Sequence, residues 1–185
     1  GTNYVRILAQ SSQNVTTTFT VEMWIKKTAT SGGQADNASY AFSRNGGSGQ
    51  WAVLSYANYF TFFVGGDSTI HAGNNSKITV NDTAWHHIAY AYNGSVLSFY
   101  LDGVKVGQYV YTFALPTNAT YFCIGNAVNF ANPAHDTLDE VRVWETCRTQ
   151  DEIQSTMYHE VSPADSAYAS LVFCCGFEEW SGSAV

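Results

Sequence analysis

Apolar residues recur at every second position along most of the chain, the spacing of strands that turn one face toward a core. In TTTFTVEMWIKK, Phe19, Val21, Met23 and Ile25 alternate with Thr18, Thr20, Glu22, Trp24 and Lys26, which predicts a strand with one clearly apolar face. In AWHHIAYAYNGSVLSFYLDG two such runs flank Asn93-Gly94, a dipeptide that supplies positive φ in a tight hairpin turn. The second arm sets Leu97, Phe99 and Leu101 against Val96, Ser98, Tyr100 and Asp102, and a third strand, Val104 to Tyr109, follows the Asp102-Gly103 turn. SYAFSR, QWAVLSY and YFTFFVGG read as strands separated by NGGSG and ANY; ATYFCIG, TLDEVRVWE and ASLVFCCGFEE follow in the second half.

One helix stands out. Thr149-Gln150-Asp151-Glu152 is a capping box, with Ile153 and Met157 on one face behind it, which predicts a short helix at about 150 to 158, ended before Pro163. Some twelve short strands and one helix predict an all-β fold of two antiparallel sheets packed face to face. The chain is long enough for one well-buried core and short for two, so residues 1–185 are expected to form one domain.

Composition narrows the function. The 185 residues are 45% hydrophobic and 15% aromatic but only 12% charged, with a formal net charge of −7. Eight lysines and arginines, scattered, offer no basic stripe for phosphates, so nucleic acid is a poor partner. No apolar run reaches the roughly 18 residues of a membrane span, and no membrane insertion is expected. Asn-X-Ser/Thr acceptors occur at Asn14, Asn37, Asn74, Asn81, Asn93 and Asn118, which points to a glycosylating, oxidising compartment and a secreted or surface protein.

Cys123, Cys147, Cys174 and Cys175 lack the paired spacing of a zinc site and are expected to form disulfides. Neighbours on a strand point to opposite faces, so Cys174 and Cys175 cannot share a partner. One is expected to join Cys147 or Cys123, the other to face outward, toward another cysteine or a neighbouring chain. Four cysteines allow three internal pairings, which sequence does not separate; the alternative is four buried free thiols.

Candidate chemistry is sparse. Retaining glycosidases need two carboxyl groups about 5 Å apart, met on a strand by residues at i, i+2. Asp139 and Glu140 are adjacent, as are Glu178 and Glu179, so on a regular strand each pair diverges, and hydrolase activity is the weakest reading. His86 and His87 diverge likewise; His87 shares a face with Ala89 and Ala91 and reads as a core or half-buried histidine. Calcium is the metal that acidic, Asn-rich loops suit, although Asp36, Asn37, Asp67, Asn74 and Asn75 read first as turn residues. Tyr56, Tyr59, Phe60, Phe62 and Phe63 are expected chiefly in the core, with any solvent-facing members free to stack on sugars.

FTVEMWIK at 19–26, WHHIAYAYNGSVLSFYLDGVKVG at 85–107, CIGNA at 123–127 and LDEVRVWETCRTQDEIQSTM at 138–157 together resemble the laminin-G-like, concanavalin A-like lectin/glucanase superfamily, in particular its laminin-G type 3 branch. ASLVFCCGFEEWSG at 169–182 is similar to that branch's closing segment, with Cys174-Cys175 in place of its usual aromatic pair. The resemblance implies a jelly-roll sandwich serving adhesion or carbohydrate and glycoprotein recognition. It also implies a structural calcium held by Asp139 with backbone oxygens near the start of the chain. The superfamily's catalytic carboxylate motif is absent, and the resemblance therefore implies no enzyme. The expected partners are glycans or extracellular glycoproteins; the alternative is a structural subunit that assembles with copies of itself in a fibre, sheath or coat.

Overall fold

In the computed structural model, residues 4–8, 15, 17–28, 39–46, 49–64, 75–110, 112, 121–126 and 133–177 are described. In chain order they form β1 (Val5–Leu8), β2 (Phe19–Lys26), β3 (Ser39–Gly46), β4 (Gly49–Ser55), β5 (Tyr59–Val64), β6 (Ile78–Thr79), β7 (Trp85–Tyr92), β8 (Val96–Leu101), β9 (Val104–Val110), β10 (Tyr121–Ile124), β11 (Thr137–Trp144), α1 (Gln150–Thr156) and β12 (Leu171–Cys175). The sheets are six-stranded, ordered β1-β10-β3-β4-β5-β6 and β12-β11-β2-β7-β8-β9. Neighbouring strands pair antiparallel throughout, so the expected two-sheet sandwich is the fold found. The pattern reading did not single out β1 and β6, which are too short to show an alternation.

One apolar cluster joins the inner faces. Phe19, Val21, Met23 and Ile25 of β2 meet Trp51 and Val53 of β4 and Phe60 and Phe62 of β5, all buried. Phe19 stacks on Trp51 at 5.2 Å and on Phe62 at 5.3 Å between ring centroids, separations typical of offset aromatic pairs. Of the aromatic-dense run, Phe60 and Phe62 are core as expected, whereas Tyr59 and Phe63 take the other face of β5. Tyr56 and Tyr59 stack on each other at 4.5 Å.

Both predicted turns form, with different chemistry. Asp102 (φ 51°) and Gly103 (φ 75°) each take positive φ, as a two-residue hairpin that follows the strand twist requires. At the other turn only Gly94 (φ 94°) does; Asn93 instead accepts from the N–H groups of Ser95 and Val96 through its side-chain oxygen. Asn81 and Asn93 are exposed, while the other four sequons lie outside the described residues.

The outer face of the second sheet is where the fold departs from plain alternation. Thr20 and Glu22, on the polar side of β2, are as buried as the core, because Trp144, Thr146 and Arg148, in the stretch leading into α1, bond over them. Ala89, Ala91 and Tyr100 present a shallow surface on which Ile153 packs, and Gln154 Nε2 donates to the carbonyl of Gly103. The capping box starts the helix as expected: Glu152 N–H donates to Thr149 Oγ1, and Thr149 N–H to Glu152 Oε2.

Candidate functional site

A charged layer is sealed between the sheet and α1. Glu22 Oε1 accepts from Trp144 Nε1 at 2.9 Å and from Arg148 Nη1 at 3.1 Å, while Arg142 Nη1 stands 3.9 Å away. Burial pushes the Glu22 carboxyl up, against the pull of Arg148 and Arg142. The arginines also complete the helix: Arg148 donates to the carbonyl of Glu152, and Arg142 to those of Thr156 and His159. Trp24 Nε1 takes the carbonyl of Met157. Carbonyls at the end of a helix have no partner within it, and these side chains supply the donors. His87 lies within this layer, as the buried histidine expected; burial first, then Arg142 and Arg148, lower its pKa to about 3, so it is neutral.

Where the chain leaves α1 it forms one wall of an open cleft of about 350 Å³, lined by Trp24, Trp85, Asp139, Glu140, Met157, Tyr158, His159 and Glu160. Its residues come from three places. Trp24 and Trp85 stand on adjacent strands, where β2 pairs with β7 through Trp24–His87 and Lys26–Trp85. Trp85 is 42% exposed and Tyr158 77%, and the Trp24 and Tyr158 rings lie 5.6 Å apart, tilted by 45°. Lying on the polar side of β2, Trp24 reads in sequence as one of the positions facing away from the core; large aromatics on polar faces, at 24 and 85, were the available signal of this site.

The carboxylates come from a β-bulge, and here the sequence expectation is overturned. Asp139 pairs with Trp24 and Arg142 with Glu22, so three steps along β11 oppose two along β2. Glu140 carries the extra residue at φ 49°. Leu138 and Val141 pack against the core, while Asp139 and Glu140 between them both line the outer cleft. They therefore do not diverge as neighbours on a regular strand would. Glu140 Oε2 accepts from Nε and Nη2 of Arg142, so its charge balances a buried guanidinium. Asp139 Oδ1 accepts from the N–H of Glu140.

The calcium expected at Asp139 needs six to eight oxygens. Among the described residues no group of three His, Cys, Asp or Glu is placed to hold a metal. Asp139 Oδ1 also accepts within the bulge, and the stretch near the start of the chain, whose backbone oxygens were the expected co-ligands, is described only in part, at residues 4–8. Of the turn residues weighed for calcium, Asn75 is exposed and the other four are outside it too, as are Glu178 and Glu179.

The internal disulfides expected from sequence are not formed in the structure: Cys123, Cys147, Cys174 and Cys175 are not bonded to one another. Position explains it. Cys123 sits between the core residues Phe122 and Ile124, so it faces away from the core on the first sheet. Cys147 packs with Ala89, Ala91, Tyr100 and Ile153, three to four strand spacings from β12, or roughly 14–19 Å. A disulfide needs Cα atoms within about 7 Å. Cys174 is exposed, and Cys175 turns inward against the core.

A third cluster lies beside the cleft. His86 Nδ1 is 2.8 Å from Asp102 Oδ2 and its Nε2 is 2.9 Å from Asp82 Oδ1. Despite partial burial, the two carboxylates raise its pKa. Asp82 also accepts from Ala84 N–H, so the cluster holds the turn that leads into Trp85.

A sandwich of this order is matched at the level of sequence by the family model for the concanavalin A-like lectin/glucanases superfamily, laminin-G type 3, over residues 1–154. The chain belongs to this family. Among solved structures, this laminin-G-type chain is similar to a presumed carbohydrate-binding protein of Bacteroides ovatus, with a TM-score of 0.65, 18% identity and 94% of the chain covered. It spans about half of that protein, 49%. It is also similar to domain 4 of AbnA, a GH43 extracellular arabinanase from Geobacillus stearothermophilus, solved in complex with arabinotriose (TM-score 0.60, 16% identity, 82% of this chain and 71% of that one). A third is a heptameric SAP-like pentraxin of Limulus polyphemus (TM-score 0.56, 14% identity, 82% and 73%). At these identities the likeness is one of fold. Among curated proteins nothing matches the chain.

Proposed function

We propose that this is a non-catalytic carbohydrate- or glycoprotein-recognition module of a secreted or surface protein, and that the cleft of Trp24, Trp85 and Tyr158 takes the sugar. The observation that carries the reading is the cleft itself: exposed aromatic side chains beside carboxylates, between the strands of one sheet and the turn that follows α1. Sugar rings present apolar C–H faces and polar edges, which such a site matches with ring faces and a few placed acceptors. Carbohydrate in the names of two structural neighbours supports the reading. Glu140, committed to Arg142, is better suited to structure than to proton transfer.

The test is a glycan array, with and without chelator, followed by calorimetry on the hits. Trp85→Ala and Tyr158→Ala are expected to weaken binding at least tenfold, about 1.4 kcal/mol, with circular dichroism unchanged. No sugar bound at millimolar ligand, or full affinity in both variants, overturns the reading.

A second reading, assembly with copies of itself, is favoured by β9. This strand ends its sheet among the described residues and exposes Val104, Val106 and Val110, and an open edge with apolar side chains invites strand pairing. Sedimentation showing only monomer at high concentration would sink it.

A further inference from the structure

We infer that the cleft selects glycans carrying a protonated amine, units of the free amino-sugar kind, and turns away carboxylated or sulfated ones. The inference rests on the reading of the cleft as a sugar site and names the substrate class of that site.

The charged lining has one sign. Asp139, Glu140 and Glu160 bring three carboxylates to the cleft, and among the described residues no lysine or arginine lines it. Arg142 lies behind Glu140 with only 1% of its side chain exposed, and its donors are spent on Glu140 and on the carbonyls of Thr156 and His159. It balances Glu140 from within without presenting a donor to an incoming anion. The lining imidazole, His159, has Nε2 3.4 Å from Asp165 Oδ1, so it is engaged by an aspartate outside the cleft. Lys26, opposite Trp85 in the strand register and exposed, is the nearest cation among the described residues of these two strands, on a flexible stem that reaches water.

The aromatic lining acts in the same sense. Trp24, Trp85 and Tyr158 carry negative electrostatic potential on their ring faces, which attracts an ammonium group within about 6 Å. The Trp24 N–H is occupied by the Met157 carbonyl, so this indole offers its ring rather than a donor. A sugar carboxylate or sulfate here would meet carboxylates and ring faces with no unspent lining guanidinium or ammonium, an arrangement that rejects a competing ligand by repulsion. The formal net charge of −7 repels the same anions at longer range.

The experiment uses three trisaccharides as probes in calorimetry at about pH 6, below the titration of such an amine: a glucosamine trimer, its N-acetylated neutral form and a galacturonate trimer. The glucosamine trimer is expected to bind about tenfold more tightly than the neutral form. Galacturonate is expected to bind weakest, and the advantage of the amine to shrink with added salt. Glu160→Gln should cut the amine's advantage over the neutral trimer severalfold; Trp85→Ala should weaken both. Equal affinity for the amine and its acetylated form, or tightest binding of galacturonate, overturns this inference and leaves the sugar site standing. Binding by none of the three, nor by a wider glycan panel, overturns the sugar site and this inference with it.

Discussion

Truncating Glu22 is the sharpest test of how the cleft is held. Its carboxylate is fully buried and accepts from Trp144 Nε1 and Arg148 Nη1. Glu22→Ala leaves the Trp144 indole N–H and the Arg148 guanidinium without their carboxylate acceptor in a buried layer. Removing one partner of a buried ion pair costs about 3–5 kcal/mol. The lower end applies, because Arg148 keeps Thr156 Oγ1 and the Glu152 carbonyl, and Arg142 keeps Glu140. A loss of about 3 kcal/mol lowers Tm by roughly 6–12 °C in a chain of this size. Glu22→Gln, which keeps the volume and an acceptor for Trp144, is expected to lose less. Urea unfolding followed by tryptophan fluorescence reads both. Because the same arginines anchor the turn bearing Tyr158 and His159, sugar affinity should fall alongside stability in Glu22→Ala. A loss below about 1 kcal/mol, with sugar affinity unchanged, would refute the argument that this layer fixes α1 and the cleft wall.

Two histidines are expected to bound the pH range of stability from opposite sides. The His86 pKa is raised by its aspartates, so its contribution is fully present below about pH 6.5, its ordinary value, and is lost as pH rises through the folded value. His87, lowered to about 3, works in reverse. The unfolded chain binds its proton first, so stability falls by up to about 1.4 kcal/mol per unit as pH drops below about 6.5. Glu22, raised by burial, partly offsets that fall. Urea midpoints across pH should show a maximum near neutrality, with the alkaline limb flattened in His86→Gln and the acid limb in His87→Leu; unchanged limbs would refute the assignments. For the cysteines, native thiol labelling read by mass spectrometry should mark exposed Cys174 first. Cys123, buried with its thiol pushed up to about 11, should come last. Thiols that label only after reduction would contradict the free state.

What sequence showed and what it hid follow one physical line. Strands with an apolar face, such as Phe19 to Ile25, and turns such as Asp102-Gly103 are written locally, as is the Thr149 capping box. Alternation carries no information on what covers the polar face, so the burial of Glu22 against Arg148, a contact across more than a hundred residues, was not legible. Nor was the bulge, since Asp139-Glu140 reads as regular strand unless Leu138 and Val141 are noticed as apolar residues three apart. The cysteines misled because composition speaks of compartment and not of distance.

That bulge acts as a phase shifter. Thr137–Asp139 and Val141–Trp144 obey opposite parities, and Glu140 is the added half-period that lets Leu138 and Val141 both reach the core. Flattening the bulge at unchanged length would invert everything before it, turning Leu138 to solvent and Asp139 into the apolar interior, whereas deleting Glu140 would leave a regular pleat with Leu138 and Val141 still inward, two apart, and Asp139 still outward. The extra residue is therefore what sets two adjacent carboxylates on one face of the cleft, and its loss would keep the core register while removing both the second carboxylate and the partner of Arg142.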